Sequence, residues 1–453
     1  MTQSNSSSKP SAINLVFIGF IAIAIIFAAY NNKMEAVSKA SIESAKTAVE
    51  LAIGLVGVMA LWLGLVRILE AGGLMYTLAK YLKPLMVRLF PDVPSTHPAM
   101  GAMILNISAN MLGLGNAATP LGIKAMVELN KINPVKGTAT NAMCLFLAIN
   151  TSSITLFPLG VIGVRAAADS KDPAGIFLPT LIATTLSTIV GVTVAVWLGR
   201  RSKTSNQVDS SVNELTDSET DNEAENETQE VKFQEEDYSH LLYPTGLISQ
   251  GFAWLFILGF LGSWIYGVIK VGSVGGFFNQ DFLSHWLLPA LMLLIVTYGV
   301  GRGVKIYEAV TEGAKQGFNI AIGIIPFLVA ILVAIGMFRA SGAMDAIANI
   351  INPVTNLIQL PAEVLPMALI RPLSGGGAFG IMSELVQKAP DSYSSFVASV
   401  MMGSTETTFY VLAVYFGAVG ITRIRHALVA ALLADATGLI ASCFLSSVFW
   451  NLG

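Results

Sequence analysis

Charge is scarce in this sequence. Asp, Glu, Lys and Arg make up 12% of its 453 residues, against about 25% in a soluble globular domain. Hydrophobic residues make up 54%, and the mean hydropathy is +0.66. That balance excludes an ordinary water-soluble domain. Cysteine is nearly absent: Cys144 and Cys443 both sit in apolar text, where a small buried hydrophobe is the simplest role and a disulfide framework has no support. Histidine is sparse too. His97, His285 and His426 stand at segment ends and no pair has metal-ligand spacing, so no metal site is expected. GxSxG, HExxH and paired aspartates are missing, as is any cofactor motif. An enzyme is therefore not the expectation, no cofactor is implied, and nothing resembles a nucleic-acid footprint.

What the sequence has instead is long apolar runs. About 20 apolar residues cross a bilayer as a helix. Ala12 to Tyr30, Val49 to Leu69, Gly175 to Leu198, Tyr243 to Ile269, Phe318 to Phe338, Tyr393 to Val419 and His426 to Trp450 reach or approach that length, and Trp286 to Val300 would need its flanks. None alternates as a porin strand does, so helices are predicted. The run from Ala12 lacks a clean cleavage site and reads as an uncleaved first span rather than a signal peptide.

The net charge of −3 hides a segregation, because 12 of the 29 acidic residues lie between Asp209 and Asp237. Residues 201–240 carry Ser, Thr, Asn, Asp and Glu with almost no large apolar residues and cannot bury a core. They read as an acidic disordered linker, or alternatively as a docking tail. On either side the text repeats itself. Ala52-Ile53-Gly54 aligns with Ala321-Ile322-Gly323, and the register runs without a gap to Pro84 against Pro353, with Leu63, Ala71, Gly73, Met75 and Ala79 also shared. Farther on, Asn150-Thr151-Ser152-Ser153 falls opposite Ser404-Thr405-Glu406-Thr407. The predicted organisation is an N-terminal span and external loop (1–47), a first repeat (48–200), the linker (201–240), two connecting spans (241–302) and a second repeat (303–453).

Lys and Arg concentrate on the cytoplasmic side of membrane proteins. Arg200, Arg201 and Lys203 place the linker inside; Arg302 and Lys305 start the second repeat inside, whereas Arg67, Lys80, Lys83 and Arg88 make the first repeat's amphipathic segment cytoplasmic. The two repeats are thus expected to have inverted topology, as in many secondary transporters. The N-terminus lies inside and the C-terminus outside a bacterial inner membrane. Lys33, Lys39 and Lys46 fall outside in this arrangement, against the rule.

Four polar clusters interrupt the apolar text. Asn106 to Pro120 holds Asn106, Ser108, Asn110, Asn116 and Thr119 among glycines and a proline. Asparagine amides in hydrocarbon need partners, and broken helices at membrane depth are tolerated only against a cavity or inside protein. The segment reads as re-entrant and solute-facing, or alternatively as a packed small-residue interface. Its counterpart is Arg371 to Gly380, with Ser374, Gly375 and Gly376: a full charge beside a helix-breaking run, unless Arg371 snorkels to an interface. The third cluster is Thr140-Asn141 with Asn150 to Thr155, including Thr151 and Ser152; the fourth is Gly403 to Thr408, with Ser404, Thr405, Glu406 and Thr407. Glu406 lies in the middle of an apolar run and is expected to be buried, paired with Arg371 or carrying a coupling proton or Na⁺. Asp435 is a second acidic candidate or a kink cap.

At these residues the chain becomes recognisable. HPAMGAMILNISANMLGLGNAATPLGIKAM and TATNAMCLFLAINTSS resemble the spore maturation A family, and LPMALIRPLSGGGAFG, MMGSTETTFYVLAVYFGAVGITRIRHAL and ADATG resemble the spore maturation B family. Both belong to the Gate, or nucleoside-recognition, group, which also includes parts of concentrative nucleoside transporters and of the bacterial ferrous-iron transporter. The resemblance implies an all-α polytopic membrane protein with helical hairpins and broken helices around a central site. It implies a transporter or permease for a small polar solute, nucleoside-like or envelope-precursor-like, in contact with the lipid bilayer and compatible with a homo-oligomer. A non-transporting membrane scaffold or sensor is the alternative, and an intramembrane enzyme acting on lipid-linked precursors is a more distant one.

Overall fold

The computed structural model describes residues 12–113, 115–202, 238–273 and 280–452. Residues 203–237, and with them nearly all of the expected acidic linker, lie outside the described residues. Among the described residues the chain is helical, with no strand and two isolated bridges, Thr138 to Arg423 and Leu242 to Val304. Six described stretches are long and apolar enough to cross a membrane: Met34–Ala71, Phe177–Arg201, Ser249–Val271, Ile306–Ser341, Tyr393–Gly417 and Ala427–Asn451.

Helix α1 (Ala12–Tyr30) leads into α2 (Met34–Ala71). Residues 34–47, expected to close an external loop, are instead the first turns of α2. The reason is local: the stretch is rich in Ala, Glu, Lys and Ser, without Gly or Pro, and Glu35 pairs with Lys39 one turn on at 2.8 Å. α2 ends where Gly73 turns left-handed (φ 72°), and the amphipathic α3 (Leu74–Leu89) follows, with Pro84 inside it. A hairpin of α4 (Pro98–Met111) and α5 (Gly115–Lys131), a helix broken between α6 (Asn141–Thr151) and α7 (Leu159–Ala167), and α8 (Phe177–Ser202) complete this half.

The apolar pair α9 (Leu247–Val271) and α10 (Gln280–Arg302) connects the halves. Trp254, Leu258, Ile265 and Ile269 of α9 are more than 60% exposed, as a lipid-facing helix requires. The second half then repeats the order of the first. α11 (Ile306–Gly323) and α12 (Ile325–Ser341) form one long rod ending at left-handed Gly342 (φ 86°), followed by the amphipathic α13 (Ala343–Leu357) with Pro353 inside. A short hairpin of α14 (Leu365–Ile370) and α15 (Gly375–Lys388), a second broken helix of α16 (Tyr393–Ser404) and α17 (Thr408–Gly417), and α18 (Ala427–Leu452) close the chain.

Equivalent helices of the two halves pack against each other antiparallel. Gly64 of α2 lies on Val310 of α11, Gly317 on Met59 and Gly336 of α12 on Ser44, so residue numbers rise on one rod as they fall on the other. The contact needs glycine: a Cβ on Gly317 would stand 2.6 Å from the Met59 carbonyl oxygen. Small residues let membrane helices approach this closely. α8 and α18 repeat the arrangement, with Gly191 against Ala434 and Ser187 against Gly438. Loops meet in matching pairs. Gly137 to Ala139 bonds Thr422 and Arg423 at one end of the bundle, and Ser170 and Lys171 bond Asp391 at the other.

Candidate solute-binding site

Breaking a helix inside a bundle frees backbone groups that need partners, and here the breaks supply them for one another. In the first half the Leu156 amide donates to Met111 O at the tip of the α4–α5 hairpin (2.8 Å). In the second, the Phe409 amide donates to Pro372 O at the tip of the α14–α15 hairpin (3.0 Å). The two breaks are joined directly, Glu406 N donating to Thr151 O at 2.8 Å. Two hairpin tips and two breaks therefore converge between the halves.

On the first half's side the chemistry is neutral. Asn110 Nδ2 donates to Asn150 Oδ1 (2.8 Å), which also accepts from the Tyr415 hydroxyl (3.2 Å). Asn106 Nδ2 donates to Tyr415 Oη (3.2 Å) and to Ala118 O (2.7 Å), and Asn150 Nδ2 to Phe146 O (2.9 Å). Asn106, Asn150 and Tyr415 are all buried; only Asn110 is partly open. Tyr415 reaches across from α17, stacks on Phe146 and lies where Gly122 leaves room, since any Cβ there would meet its ring.

On the second half's side the chemistry is ionic. Arg371, 3% exposed, donates to Thr407 Oγ1 (3.1 Å) and Met402 O (3.2 Å), and stands 4.0 Å from Glu406. Arg371 thus does not snorkel to an interface. Glu406 overturns its expectation in one respect: its side chain is 54% exposed. The break lifts residues 405–407 out of the helical run, so an apolar neighbourhood in sequence is not one in space. Behind it, Asp435 is buried in the middle of an uninterrupted α18, so it caps no kink; one oxygen accepts from Thr408 Oγ1 at 2.6 Å and Oδ1 has no partner within the protein.

The remaining candidates divide. Thr405 is buried at the second break, with its hydroxyl unpartnered. Thr151, Ser152 and Ser404 turn their hydroxyls back onto the carbonyls of Ala148, Ala148 and Met401. Ser374 caps α15 by accepting from Gly377 N (3.1 Å). Gly375 lies beside Thr407, and Gly376 against Phe327. Thr119 is half-buried on α5 next to Ala118, and the side chain of Asn116 is not among the described ones. Asn141 does not join the group. Thr140 caps α6 and sets Asn141 at its first turn, ten residues or about 15 Å from Thr151. There it donates to Gly199 O (3.3 Å) and borders a separate cavity of ≈ 370 Å³ with Asp92, Asn133 and Arg425. Sequence reasoning missed Tyr415, whereas Thr408 closes the fourth polar cluster. Tyr415 lies seven residues, two helical turns, after Thr408, which puts it on the same face of α17; a hydroxyl on that face was the available signal. Cys144 and Cys443 are free and buried, and no group of three His, Cys, Asp or Glu side chains gathers among the described residues.

A bundle of apolar helices with hairpins and breaks meeting at a polar centre is the architecture of a polytopic membrane protein with a polar site inside it. The Gate family, described as nucleoside recognition, matches twice, over residues 52–168 and 321–422. The chain is 42% identical over 182 residues to spore maturation protein A of Bacillus subtilis, covering 93% of it and 40% of the present chain. It is 47% identical over 172 residues to spore maturation protein B of the same organism, covering 97% of it and 38% of the chain. An inner membrane protein of Escherichia coli, YjiG, is 32% identical over 82 residues, which is 54% of its length and 18% of this chain. No solved structure gives a significant match. The chain belongs to the Gate family, and its two halves correspond to spore maturation proteins A and B joined in one multi-pass membrane protein.

Proposed function

We propose that this chain is a secondary transporter or permease for a small polar solute, with its site at mid-membrane between two inverted-topology repeats. The observation that carries the reading is the direct bond between the two breaks, Glu406 N to Thr151 O, which sets the amide cluster and the Arg371 cluster side by side. Antiparallel packing of α2 on α11–α12 and of α8 on α18 supports the inversion. The residues that line the site are Asn106, Asn110, Asn150 and Tyr415 from one side and Arg371, Ser374, Gly375, Thr405, Glu406 and Thr407 from the other. The distribution of Lys and Arg supports an orientation with residues 201–240 in the cytoplasm and the C-terminus outside. Nothing in this reading requires an enzyme.

The test is a thermal-shift screen of the full chain in detergent with nucleosides, nucleotides, amino acids and cell-wall precursors, followed by uptake of each stabilising compound into proteoliposomes. Uptake that is lost in Asn110→Ala and Asn150→Ala, with expression intact, is the expected result. Normal uptake in both variants would overturn the site, and no flux of any stabilising compound would overturn transport. The names of the two spore maturation relatives favour a second reading, a scaffold or sensor in envelope or spore maturation. Deleting residues 205–235 separates the two: a transporter keeps its flux, and a scaffold that docks through the linker loses its function.

A further inference from the structure

The two sides of the site differ in one respect that bears on the solute. Arg371 carries a buried positive charge with two carboxylates nearby, Glu406 and Asp435, neither of which hydrogen-bonds it. Its guanidinium is 3% exposed, its Nε has no hydrogen-bond partner, and both of its bonds go to neutral oxygens, Thr407 Oγ1 and Met402 O. Among the described residues the one carboxylate within ion-pair reach, Glu406, stands off at 4.0 Å and is 54% exposed. Asp435, deeper in the bundle, is bonded to Thr408 and adds its negative charge to the neighbourhood of Arg371 from farther off. A buried guanidinium whose carboxylates stand off without bonding it is costly, which leaves the place of a closer anionic partner open.

The guanidinium faces the start of a helix. α15 runs 14 residues from Gly375, and a Cβ on Gly375 would stand 2.8 Å from Thr407 Oγ1 and 3.9 Å from an Arg371 terminal nitrogen. At this N-terminus the Gly377 amide is taken by Ser374 Oγ and the Ala378 amide by Ser374 O. The amides of Gly375 and Gly376 have no partner among the described residues, and both residues are partly open rather than sealed. Free amides at a helix N-terminus carry partial positive charge and suit an anion; a guanidinium beside them adds charge-assisted donors in a planar fork. The equivalent tip in the first half, the α4–α5 hairpin, is bonded through Asn106, Asn110 and Asn150, which are neutral amides.

We propose that the solute is an oxyanion, its carboxylate or phosphate group held by Arg371 and the Gly375 and Gly376 amides while its neutral polar part faces the Asn110–Asn150–Tyr415 cluster. Without solute the Glu406 carboxylate lies next to that position and acts as a tethered competitor; solute binding displaces it toward the open side. This assignment rests on the transport reading above for its biological use, but not for its test.

The experiment measures the affinity of the full-length protein in detergent for inorganic phosphate and for acetate, each titrated at constant ionic strength against chloride and read as the shift in thermal midpoint. At least one of the two stabilises the wild type, and the arm that does so identifies the head group. Arg371→Lys weakens that affinity about tenfold or more, because a point charge cannot reproduce the fork. Glu406→Gln strengthens it about fivefold, the worth of one like charge at 4 Å in water. Because the second variant keeps Arg371, it decides the matter even if Arg371→Lys fails to fold. The proposal is overturned if neither anion shifts the wild type, if Arg371→Lys binds as well as the wild type, or if Glu406→Gln binds equally or more weakly. Uptake of a neutral nucleoside with no anion response would sink this inference and leave the transporter standing. Arg371-dependent anion binding with no flux of the bound anion would do the reverse.

Discussion

The two halves of this protein repeat one order of elements but not one chemistry. Each has a long rod ending at a left-handed glycine, a proline-containing amphipathic helix, a hairpin, a broken helix and a closing helix. The first half brings amides to the centre, the second a guanidinium and two carboxylates. The difference teaches that the repeat supplies geometry alone. Breaks and tips recur because a pseudo-symmetric scaffold needs them on both sides, while the side chains placed there are free to diverge, neutral amides on one side and charge on the other.

That division can be broken from either side. The largest effect is expected from Arg371→Ala, which removes the cation bonded at the second break: solute uptake into proteoliposomes should fall by about a hundredfold or more, as loss of a buried charge contact does. Wild-type uptake in this variant would deny the charged half its role. Next is Asn150→Ala. It leaves Asn110 and Tyr415 without their shared acceptor, so uptake should be lost and stability should drop by about 2 kcal/mol, the cost of stranding a buried donor; chemical denaturation compared with the wild type reads it. Thr408→Val strips Asp435 of its one hydrogen bond and should destabilise by about 1–3 kcal/mol while leaving the amide cluster intact, visible as unchanged binding of a neutral ligand. Tyr415→Phe keeps the ring on Phe146 and removes only the hydroxyl that spans the halves. Its cost should be about 1 kcal/mol, and a cost indistinguishable from zero would mean that the bridge between halves is ornamental.

Much of this architecture was legible in the text. The aligned run from Ala52 to Pro84 marks the repeated rod and amphipathic helix, and the Asn, Gly and Pro of residues 106–120 and the Arg371 to Gly380 run mark the hairpin tips. These signals are local: a helix breaker acts where it stands. What was not legible depends on three-dimensional direction. Asn141 belongs to a polar stretch in sequence, but α6 carries it to the far end of the bundle. Glu406 has apolar neighbours along the chain and an open side in space. Tyr415 becomes a site residue only because Gly122, almost three hundred positions earlier, leaves room for its ring. The start of α11 at Ile306 was hidden as well, because Glu308, Glu312 and Lys315 dilute the apolar run while Gly313 and Gly317 still bury its other face against α2.

The central claim is that the neutral half and the charged half bind one solute together. The most direct measurement is the dissociation constant of a single stabilising ligand for the wild type, Asn150→Ala, Arg371→Lys and the double variant. The account predicts that each single substitution weakens binding about tenfold or more and that the double variant shows coupling rather than a simple sum, as residues sharing one bound molecule do. A ligand whose affinity depends on one of the two residues and ignores the other would contradict it.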